Sequence, residues 1–446
     1  MIALGLDLGT SSIKALLLGP GVEYEESCAY TSPDFAGLLD TVRLVCARLN
    51  DRFPLHRVDA LGLSGRTGTY ALMDQNGTVG PWIEWFSGGR EAALEKLLAA
   101  FPAESFMDMI GMPHPRLSSY PVPMLLTSPP GDRTLVQPKD ALMQHITGRC
   151  LSDAGSWRGL YHPEKAEYSP ELLAWAHASA DNLPQIGDMA LLCAAGAGLT
   201  GLREGTPVHT GQNDFYSALY GMGIDGPGCG FDVTGTSEHI GLTRPLPGNS
   251  ALITSPYLQA YVHYGVTASS GPSLTWGRHM FGAEEPGIRP HAPIFLPYLQ
   301  GERAPVFDAS ARGMFVGLTP HTDNEDLRYA VYEGVAFSMR NIQDALGEDM
   351  PAVLRITGGA SRSPLLCRLK ASLLGCRVQR ERLDCGSAMG AVRSAGGQWQ
   401  RDMEEYAPDD GLQSMLEPRY QVYARLYAAW QTVTRDTDTG HLFGKD

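Results

Sequence analysis

Short apolar runs alternate with polar turns and amphipathic stretches along most of this chain. Residues 2–6 and 13–18 are apolar runs of strand length on either side of a polar turn, which predicts a β-hairpin. Residues 228–231 and 239–243 repeat that arrangement around Gly235-Thr236-Ser237. Two such hairpins about half a chain apart indicate a duplicated domain.

Strand-like and helix-like segments also alternate between and after the two hairpins. The pattern predicts helix 35–49, strand 59–63, strand 208–211, helix 216–222, strand 353–356 and helix 364–374. Residues 70–74 and 78–82 predict a second kind of hairpin, closed by Asn76-Gly77. Residues 113–138 contain seven prolines and predict an extended loop rather than a helix. The expected fold class is mixed α/β.

The length of the chain predicts more than one domain. With 446 residues it exceeds the size at which a single hydrophobic core usually stops growing. Gly226-Pro227-Gly228 separates two structured stretches, so we expect domains at 1–226 and 227–446. The last residues, 434–446, are polar and are expected to fray.

Composition and charge exclude several classes of protein. Apolar residues make up 43% and charged residues 19%, which is typical of a globular protein. The formal charge is −14 without a basic run, which argues against nucleic-acid binding. The chain shows neither the charged start of a signal peptide nor an apolar run of about 18 residues, so no membrane association is expected. The eight cysteines lack a Cys-x-x-Cys pair, which favours reduced thiols and a cytoplasmic location.

The first turn contains residue types suited to phosphate binding. Gly9 lets backbone N–H groups approach phosphate oxygens closely, Thr10 and Ser11 add hydroxyl groups, and Lys14 adds a positive charge. Asp7 is a carboxylate in an otherwise apolar strand and could hold Mg²⁺, directly or through water. The same residues are equally good chemistry for an ordinary β-turn.

Two further segments place reactive or small residues between a strand and a helix. Asp214 ends the segment Gly211-Gln212-Asn213-Asp214, where a helix N-terminus would favour its ionised form. A simple helix cap is the alternative. Gly358-Gly359-Ala360 follows an apolar run and would let the backbone lie against a ring or a ribose, although paired glycines are also common in loops.

Together these motifs resemble the FGGY family of carbohydrate kinases. The resemblance also rests on residues 313–318, Gly-Met-Phe-Val-Gly-Leu, followed after seven residues by residues 326–333, Asp-Leu-Arg-Tyr-Ala-Val-Tyr-Glu. It extends from Met1 to about Tyr423. It implies two actin-like ATPase domains of the ribonuclease H-like type, with a nucleotide and sugar cleft between them. It also implies an ATP-dependent kinase that uses Mg²⁺.

The resemblance assigns roles to individual positions. Asp214 becomes the catalytic base, Asp7 the Mg²⁺ ligand, and Arg66 and Thr67 substrate residues beside Asp214. The implied nucleotide contacts are Gly9, Thr10, Ser11, Lys14, Gly235, Thr236, Ser237, Gly358, Gly359 and Ala360. Residues 301–305, Gly-Glu-Arg-Ala-Pro, are similar to a family loop whose implied role is structural, through an ion pair. Residues 386–391 resemble a small-residue helix start near the adenine, with close helix packing as the alternative.

The chain departs from the family in the segments expected to face the sugar. Residues 65–69 are Gly-Arg-Thr-Gly-Thr, where many xylulokinases carry Gly-Gln-Met-His-Gly, and residues 85–90 lack an expected aspartate. We therefore expect a small sugar and ATP as partners, with a ketopentose such as D-xylulose as the leading acceptor. Another sugar, polyol or sugar acid (ribulose, gluconate or glycerol type) stays open, because Arg66 could bind a carboxylate. A non-catalytic sugar or nucleotide sensor and a homodimer also stay open.

Overall fold

The computed structural model describes residues 1–84, 88–113, 115–235, 237–248, 252–347, 350–383 and 385–435. These residues form a mixed α/β structure, as expected. The helices are α1 (Phe35–Asn50), α2 (Arg90–Ala100), α3 (Ser105–Ile110), α4 (Pro121–Thr127), α5 (Pro138–Thr147), α6 (Pro170–Trp175), α7 (Ala194–Thr200), α8 (Asp214–Gly221), α9 (Gly271–Phe281), α10 (Asn324–Leu346), α11 (Pro364–Leu374), α12 (Ser387–Ser394) and α13 (Asp410–Arg435). Among the described helices, none combines the length and the apolar character needed to cross a membrane.

Two large sheets organise the chain. The first contains β1 (Ala3–Leu8), β2 (Ser12–Gly19), β3 (Val22–Ala29), β4 (Ala60–Gly65), β5 (Met189–Leu191) and β6 (Pro207–Asn213), in the order β5-β6-β4-β1-β2-β3. The second contains β7 (Gly230–Thr234), β8 (Glu238–Arg244), β9 (Ile253–Tyr257), β10 (Ala260–Thr267), β11 (Val353–Gly358), β12 (Arg377–Glu381) and β13 (Met403–Tyr406), in the order β9-β10-β8-β7-β11-β12-β13. Within the described residues, four two-stranded pairs accompany them: Ala71–Met73 with Thr134–Val136, Leu151–Ser152 with Gln185–Ile186, Tyr161–His162 with Glu167–Tyr168, and Ile294–Leu296 with Met314–Val316.

The chain divides into two compact units. The first unit comprises Met1–Asp225, Ser255–Gln259 and Cys385–Arg401, and the second comprises Gly226–Thr254, Ala260–Asp384 and Asp402–Asp446. The domains 1–226 and 227–446 stay a prediction. In the structure, however, two later segments of the chain lie in the first unit, and one of them carries α12.

The repeated Leu-Gly-Leu sequences explain the centre of the first sheet. β1 and β4 run parallel, with Leu4 opposite Leu61 and Gly5 opposite Gly62. Leu4 and Leu61 are fully buried in a core that also contains Val45 of α1. Because successive side chains of a strand point to opposite faces, the two glycines lie on the other face. There they leave a shallow surface.

Helix α12 occupies that shallow surface. A Cβ atom on Gly62 would lie 1.9 Å from the carbonyl oxygen of Ala391, and one on Gly5 would lie 2.5 Å from that of Ala388. Close contact of helix and sheet backbones therefore requires glycine in both strands. The small residues of 386–391 thus serve helix packing within the first unit, the alternative interpretation of that segment.

The second sheet repeats the hairpin of the first. β7 pairs antiparallel with β8 and parallel with β11, as β1 does with β2 and β4. Its core contains apolar side chains from the sheet and from α10 and α11, among them Ile240, Leu354, Ile356, Val378, Met339, Ile342 and Cys367.

The prediction for the proline-rich stretch 113–138 was wrong in one part. Helix α4 begins at Pro121 and also contains Pro123. Both prolines lie in its first turn, where the missing N–H would have no partner within the helix. Proline there starts a helix rather than breaking one.

The predicted hairpin at residues 70–82 is present in reduced form. Gly77 N–H donates to the carbonyl of Asp74 as a turn requires, and isolated bridges join Tyr70 to Ile83 and Met73 to Val79. The full strand Ala71–Met73 pairs instead with Thr134–Val136.

Candidate active site

The turn between β1 and β2 is held from its inner side by two side chains. Gly9 N–H donates to the carbonyl of Ser12 at 3.1 Å, which closes the turn. The hydroxyl of Tyr30 donates to the carbonyl of Gly9 at 2.9 Å, and Arg66 Nη1 donates to the carbonyl of Thr10 at 3.0 Å. Thr10 and Ser11 are themselves exposed. The turn is therefore fixed by its carbonyl groups while its two hydroxyl-bearing residues face solvent.

Asp7 is a buried carboxylate directly before this turn. It lies near the end of β1, opposite Lys14 of β2 and Ser64 of β4, and is 8% exposed. The Ser64 hydroxyl donates to Asp7 Oδ1 at 3.0 Å. Burial, together with the negative charge of Asp214, raises the pKa of Asp7 to about 6, against the opposing effects of Ser64 and Lys14.

Asp214 begins α8 and faces the same end of the sheet. Its Oδ1 accepts from the Thr67 hydroxyl at 2.7 Å and from the N–H of Phe215 at 2.8 Å. Asn213 is the residue that caps the helix, since its side chain accepts from the N–H of Tyr216. Burial raises the pKa of Asp214, whereas the two hydrogen bonds and the nearby Arg158 act in the opposite direction. Loss of solvent thus outweighs the hydrogen bonds and the charge of Arg158.

The strand register explains why these two carboxylates lie close together. Ser64 of β4 lies opposite Asp7 of β1 on one side and opposite Gln212 of β6 on the other. All three strands are parallel, so their carboxyl ends meet at one edge, where α/β proteins usually place ligands. Asp214 follows Gln212 by two residues and reaches the same edge.

Arg66 and Thr67 are adjacent in sequence but make different contacts. Thr67 contacts Asp214, as described above. Arg66 is 7% exposed, and its Nη2 lies 3.3 Å from Glu84 Oε1, while its guanidinium carbon lies 5.8 Å from the ring centroids of Tyr30 and Trp82. The structure therefore joins Thr67, but not Arg66, to the predicted base. Arg66 instead supports the first turn.

In the second unit, the structure places the second turn beside the glycine pair. Thr234, at the end of β7, lies opposite Gly358 of β11. Its hydroxyl donates to the carbonyl of Thr357 and accepts from the N–H of Ala360, both at 3.0 Å. Gly358 has φ +96°, and a Cβ atom there would lie 1.9 Å from the carbonyl oxygen of Thr234. Glycine is therefore required at position 358.

The remaining predicted residues of this unit surround that contact. Gly235 and Gly359 are exposed and Ser237 is half-buried. Thr236 lies outside the described residues. Gly235, Ser237 and the Gly358-Gly359-Ala360 turn thus lie at the carboxyl ends of two adjacent parallel strands.

A buried charged cluster lies beneath the second turn. Lys370 of α11 contacts Asp232 at 2.6 Å and also contacts Glu238, and all three side chains are 0% exposed. Asp232 belongs to β7 and Glu238 to β8, so the ammonium group joins the two strands that lead into and out of the turn. Burial and the neighbouring Glu238 raise the pKa of Asp232 well above its usual range.

Sequence reasoning missed two residues of the first unit. Ser64 could have been found, because it is a polar residue at the end of the buried strand Ala60–Gly65. Arg158 carries no such signal. It lies in an irregular segment and reaches the site over the ring of Tyr216, 4.8 Å from the ring centroid.

The fold and the arrangement of these residues define a class of protein. Two α/β units, each with a hairpin turn of small hydroxyl residues at the carboxyl ends of parallel strands, are typical of phosphotransferases of the ribonuclease H-like fold. The carboxylates beside the first turn suit transfer to a hydroxyl group.

Comparison with known proteins points to the family that the sequence resembles. Residues 233–399 match the C-terminal domain of the FGGY family of carbohydrate kinases. The chain is 26% identical to a xylulose kinase of Bacillus subtilis strain 168, over 91% of this chain and 90% of that protein. It is 30% identical to a glycerol kinase of Gloeobacter violaceus, but over 61% of this chain and 60% of that protein. A solved xyloylose kinase of Brucella ovis superimposes with a TM-score of 0.84 at 27% identity, over 97% of this chain and 100% of that one.

The match over residues 233–399 and the similarity of most of the chain to carbohydrate kinases support the FGGY family. The resemblance seen in the sequence and the ribonuclease H-like fold expected from it are thereby confirmed.

Proposed function

We propose that the protein transfers the terminal phosphoryl group of ATP to a hydroxyl group of a small carbohydrate, with a ketopentose such as D-xylulose as the leading acceptor. One observation carries the proposal. Asp7 and Asp214 meet at the carboxyl ends of neighbouring strands, directly beside the exposed Thr10-Ser11 turn. Such a site can hold a phosphate, a cation and an attacking hydroxyl group within a short distance of one another.

Asp214 is the general base of this reaction. It accepts the proton of the sugar hydroxyl as that oxygen bonds to the terminal phosphorus, while the bond from this phosphorus to the bridging oxygen of ADP breaks. The Thr67 hydroxyl and the Phe215 N–H hold one carboxylate oxygen, which orients the other toward the acceptor. The pKa of Asp214 is raised by burial, and this makes the carboxylate a better proton acceptor than an exposed one.

Asp7 is the residue that would hold Mg²⁺. Its carboxylate is buried, its pKa is raised to about 6, and a second carboxylate lies nearby, so bound cation would relieve an unfavourable concentration of negative charge. Among the described residues, no three His, Cys, Asp or Glu side chains form a metal cluster. This suits Mg²⁺, which usually binds one or two carboxylates and completes its shell with phosphates and water. When bound, it would neutralise phosphate charge.

Gly9, Thr10, Ser11 and Lys14 are proposed to bind phosphate in the first unit. In the second unit, Gly235, Thr236 and Ser237 would bind phosphate, and Gly358, Gly359 and Ala360 would bind the adenosine. We place the reaction in the cytoplasm, where ATP is available and where the thiols of the eight cysteines, none of which forms a disulfide in the structure, stay reduced.

The contacts of Arg66 narrow the range of candidate acceptors. Its guanidinium group already contacts Glu84 and the carbonyl of Thr10, which argues against its binding the carboxylate of a sugar acid. The xylulose kinase and glycerol kinase relatives support neutral acceptors. Ketopentoses and polyols are therefore placed ahead of aldonates such as gluconate.

A coupled ADP-release screen tests the proposal. The purified protein with Mg²⁺ and ATP would be offered pentuloses, hexuloses, polyols and aldonates at equal concentration. We expect sugar-dependent ADP release with at least one neutral acceptor. If sugars and ADP bind by calorimetry but no acceptor supports turnover, the protein is a sensor and the proposal is wrong.

The variant Asp214→Asn tests the role of the base. Asparagine can still accept from Thr67 and Phe215, so the fold and ADP binding should change little while kcat falls by about 10²–10⁴-fold. Glu171→Gln is a matched control, because Glu171 is an exposed carboxylate in the first turn of another helix, α6. Normal turnover by Asp214→Asn would refute the assignment.

A further inference from the structure

Residues 302–308 form a loop that is fixed at its start by the buried carboxylate of its first residue, Glu302. Glu302 is 4% exposed. Its Oε2 accepts from the hydroxyl groups of Thr267 at 2.8 Å and Ser269 at 2.6 Å. Its Oε1 accepts from the N–H groups of Ala268 at 2.8 Å and Arg303 at 2.6 Å. Four hydrogen bonds thus fix the backbone at position 303 to the end of β10.

The other end of the loop is anchored as well. Glu302 and Asp308 exchange backbone hydrogen bonds of 2.9 Å in both directions. The hydroxyl of Tyr427, on α13, donates to the carboxylate of Asp308 at 2.8 Å. A short loop closed in this way holds its exposed side chains in a defined position.

The side chain of Arg303 extends from this loop to the second turn. Its Nη1 lies 3.1 Å from the hydroxyl oxygen of Ser237, and the residue is exposed. A guanidinium group presents five N–H donors in a planar fork, so one contact with Ser237 is compatible with a bidentate contact to a phosphate.

The charges around the second turn explain why a positive side chain there would favour phosphate binding. The cluster beneath the turn combines two carboxylates, Asp232 and Glu238, with the single ammonium group of Lys370. With two carboxylates for one ammonium group, and with the pKa of Asp232 raised well above its usual range, the buried cluster supplies no surplus positive charge to a polyphosphate at the turn. Arg303 places a positive charge on the solvent side of the same turn.

We propose that Arg303 binds the nucleotide phosphates at the second turn and stabilises the charge that develops during phosphoryl transfer. The proposal rests on the function proposed above. Arg303 donates hydrogen bonds to phosphate oxygens and moves no proton in the step. The loop 302–308, which appeared from the sequence to be only structural, then serves to hold the arginine in place.

Steady-state kinetics of two variants test this role. Arg303→Gln removes the charge, and kcat/KM for ATP should fall by about 10²-fold or more, as when other charge-stabilising groups are removed. Arg303→Lys keeps the charge but loses the planar fork, so its activity should lie between that of wild type and that of the glutamine variant. Arg312→Gln is the matched control, since Arg312 lies close by along the chain and its Nη1 contacts the carbonyl groups of Ala309 and Ala311.

Binding of ADP and of adenosine separates a phosphate contact from general damage. ADP affinity should fall in Arg303→Gln, while adenosine, which lacks phosphates, should compete as well as with wild type. Equal loss for both ligands, or unchanged kinetics, would overturn the proposal. If the glutamine variant fails to fold, the lysine variant decides by the same two measurements. Failure of the proposed function looks different, because the wild-type protein itself would then show no sugar-dependent turnover.

Discussion

Replacing Asp7 with asparagine removes a buried negative charge and keeps the shape of the side chain. The folded protein raises the pKa of Asp7 from 3.8 to about 6, so it binds a proton more tightly than the unfolded chain does. Between these two pH values the folded state holds more protons, and the stability contributed by this group therefore falls as pH rises. Above pH 6 the penalty is fully present. An asparagine at position 7 is uncharged and therefore avoids this penalty.

The size of the effect follows from the shift. A rise of the pKa from 3.8 to about 6 corresponds to about 3 kcal/mol at pH 8, and to about half of that at pH 5. For a unit of this size about 2 °C per kcal/mol is expected, so the melting temperature of the first unit should rise by about 6 °C at pH 8. The same variant should lose most of its activity, because the proposed Mg²⁺ ligand is gone.

Thermal unfolding without Mg²⁺, followed at pH 8 and pH 5, measures the gain in stability of Asp7→Asn over wild type. Asp40→Asn is the control, because Asp40 is an exposed carboxylate on α1 and its replacement should leave the pH dependence unchanged. With Mg²⁺ and ADP added, the wild-type protein should regain stability and Asp7→Asn should not. An Asp7→Asn variant that is no more stable than wild type at pH 8, or that keeps full Mg²⁺-dependent activity, would refute the reasoning.

Two further substitutions test the second unit. Lys370→Met leaves its two carboxylate partners buried without a counter-charge, so the free energy of unfolding measured in urea should fall by about 3–5 kcal/mol. The fall should be smaller at pH 5 than at pH 8, because the stranded carboxylates are more readily protonated at pH 5. An equal fall at both pH values would contradict this account. Gly358→Ala should lower stability by more than about 1 kcal/mol and weaken ADP binding, since its φ of +96° is unfavourable for alanine. Gly226→Ala is its control, because a Cβ atom there meets nothing within 4 Å and Gly226 has no proposed role in binding. Similar effects of both alanines would show that backbone conformation is not the cause.

The parts of the fold that depend on local sequence were predictable. Both hairpins follow from apolar runs around a turn, and the helix after Asp214 follows from its cap and periodicity. These features need only neighbouring residues. The start of α4 at Pro121 was missed because proline is read as a helix breaker unless its place in the first turn is known.

The parts that depend on distant packing were not predictable. Helix α12 lies in the second half of the chain but packs in the first unit, because Gly5 and Gly62 leave room for its backbone. Nothing in the sequence near α12 specifies this surface. Similarly, the sequence does not show that Arg66 contacts Glu84 whereas its neighbour Thr67 contacts Asp214.

The two carboxylates of the first unit differ in how their charge is supported, and this difference matches their proposed roles. Asp214 accepts two hydrogen bonds and lies near Arg158, which stabilises its ionised form against the loss of solvent. Asp7 accepts one hydrogen bond, from Ser64, and its pKa is raised further by Asp214 itself. Asp214, whose charge is better supported, can remain a proton acceptor in a fixed geometry. The one with the poorer support gains most from a bound cation, which is the physical reason to assign the metal to Asp7 and the proton to Asp214.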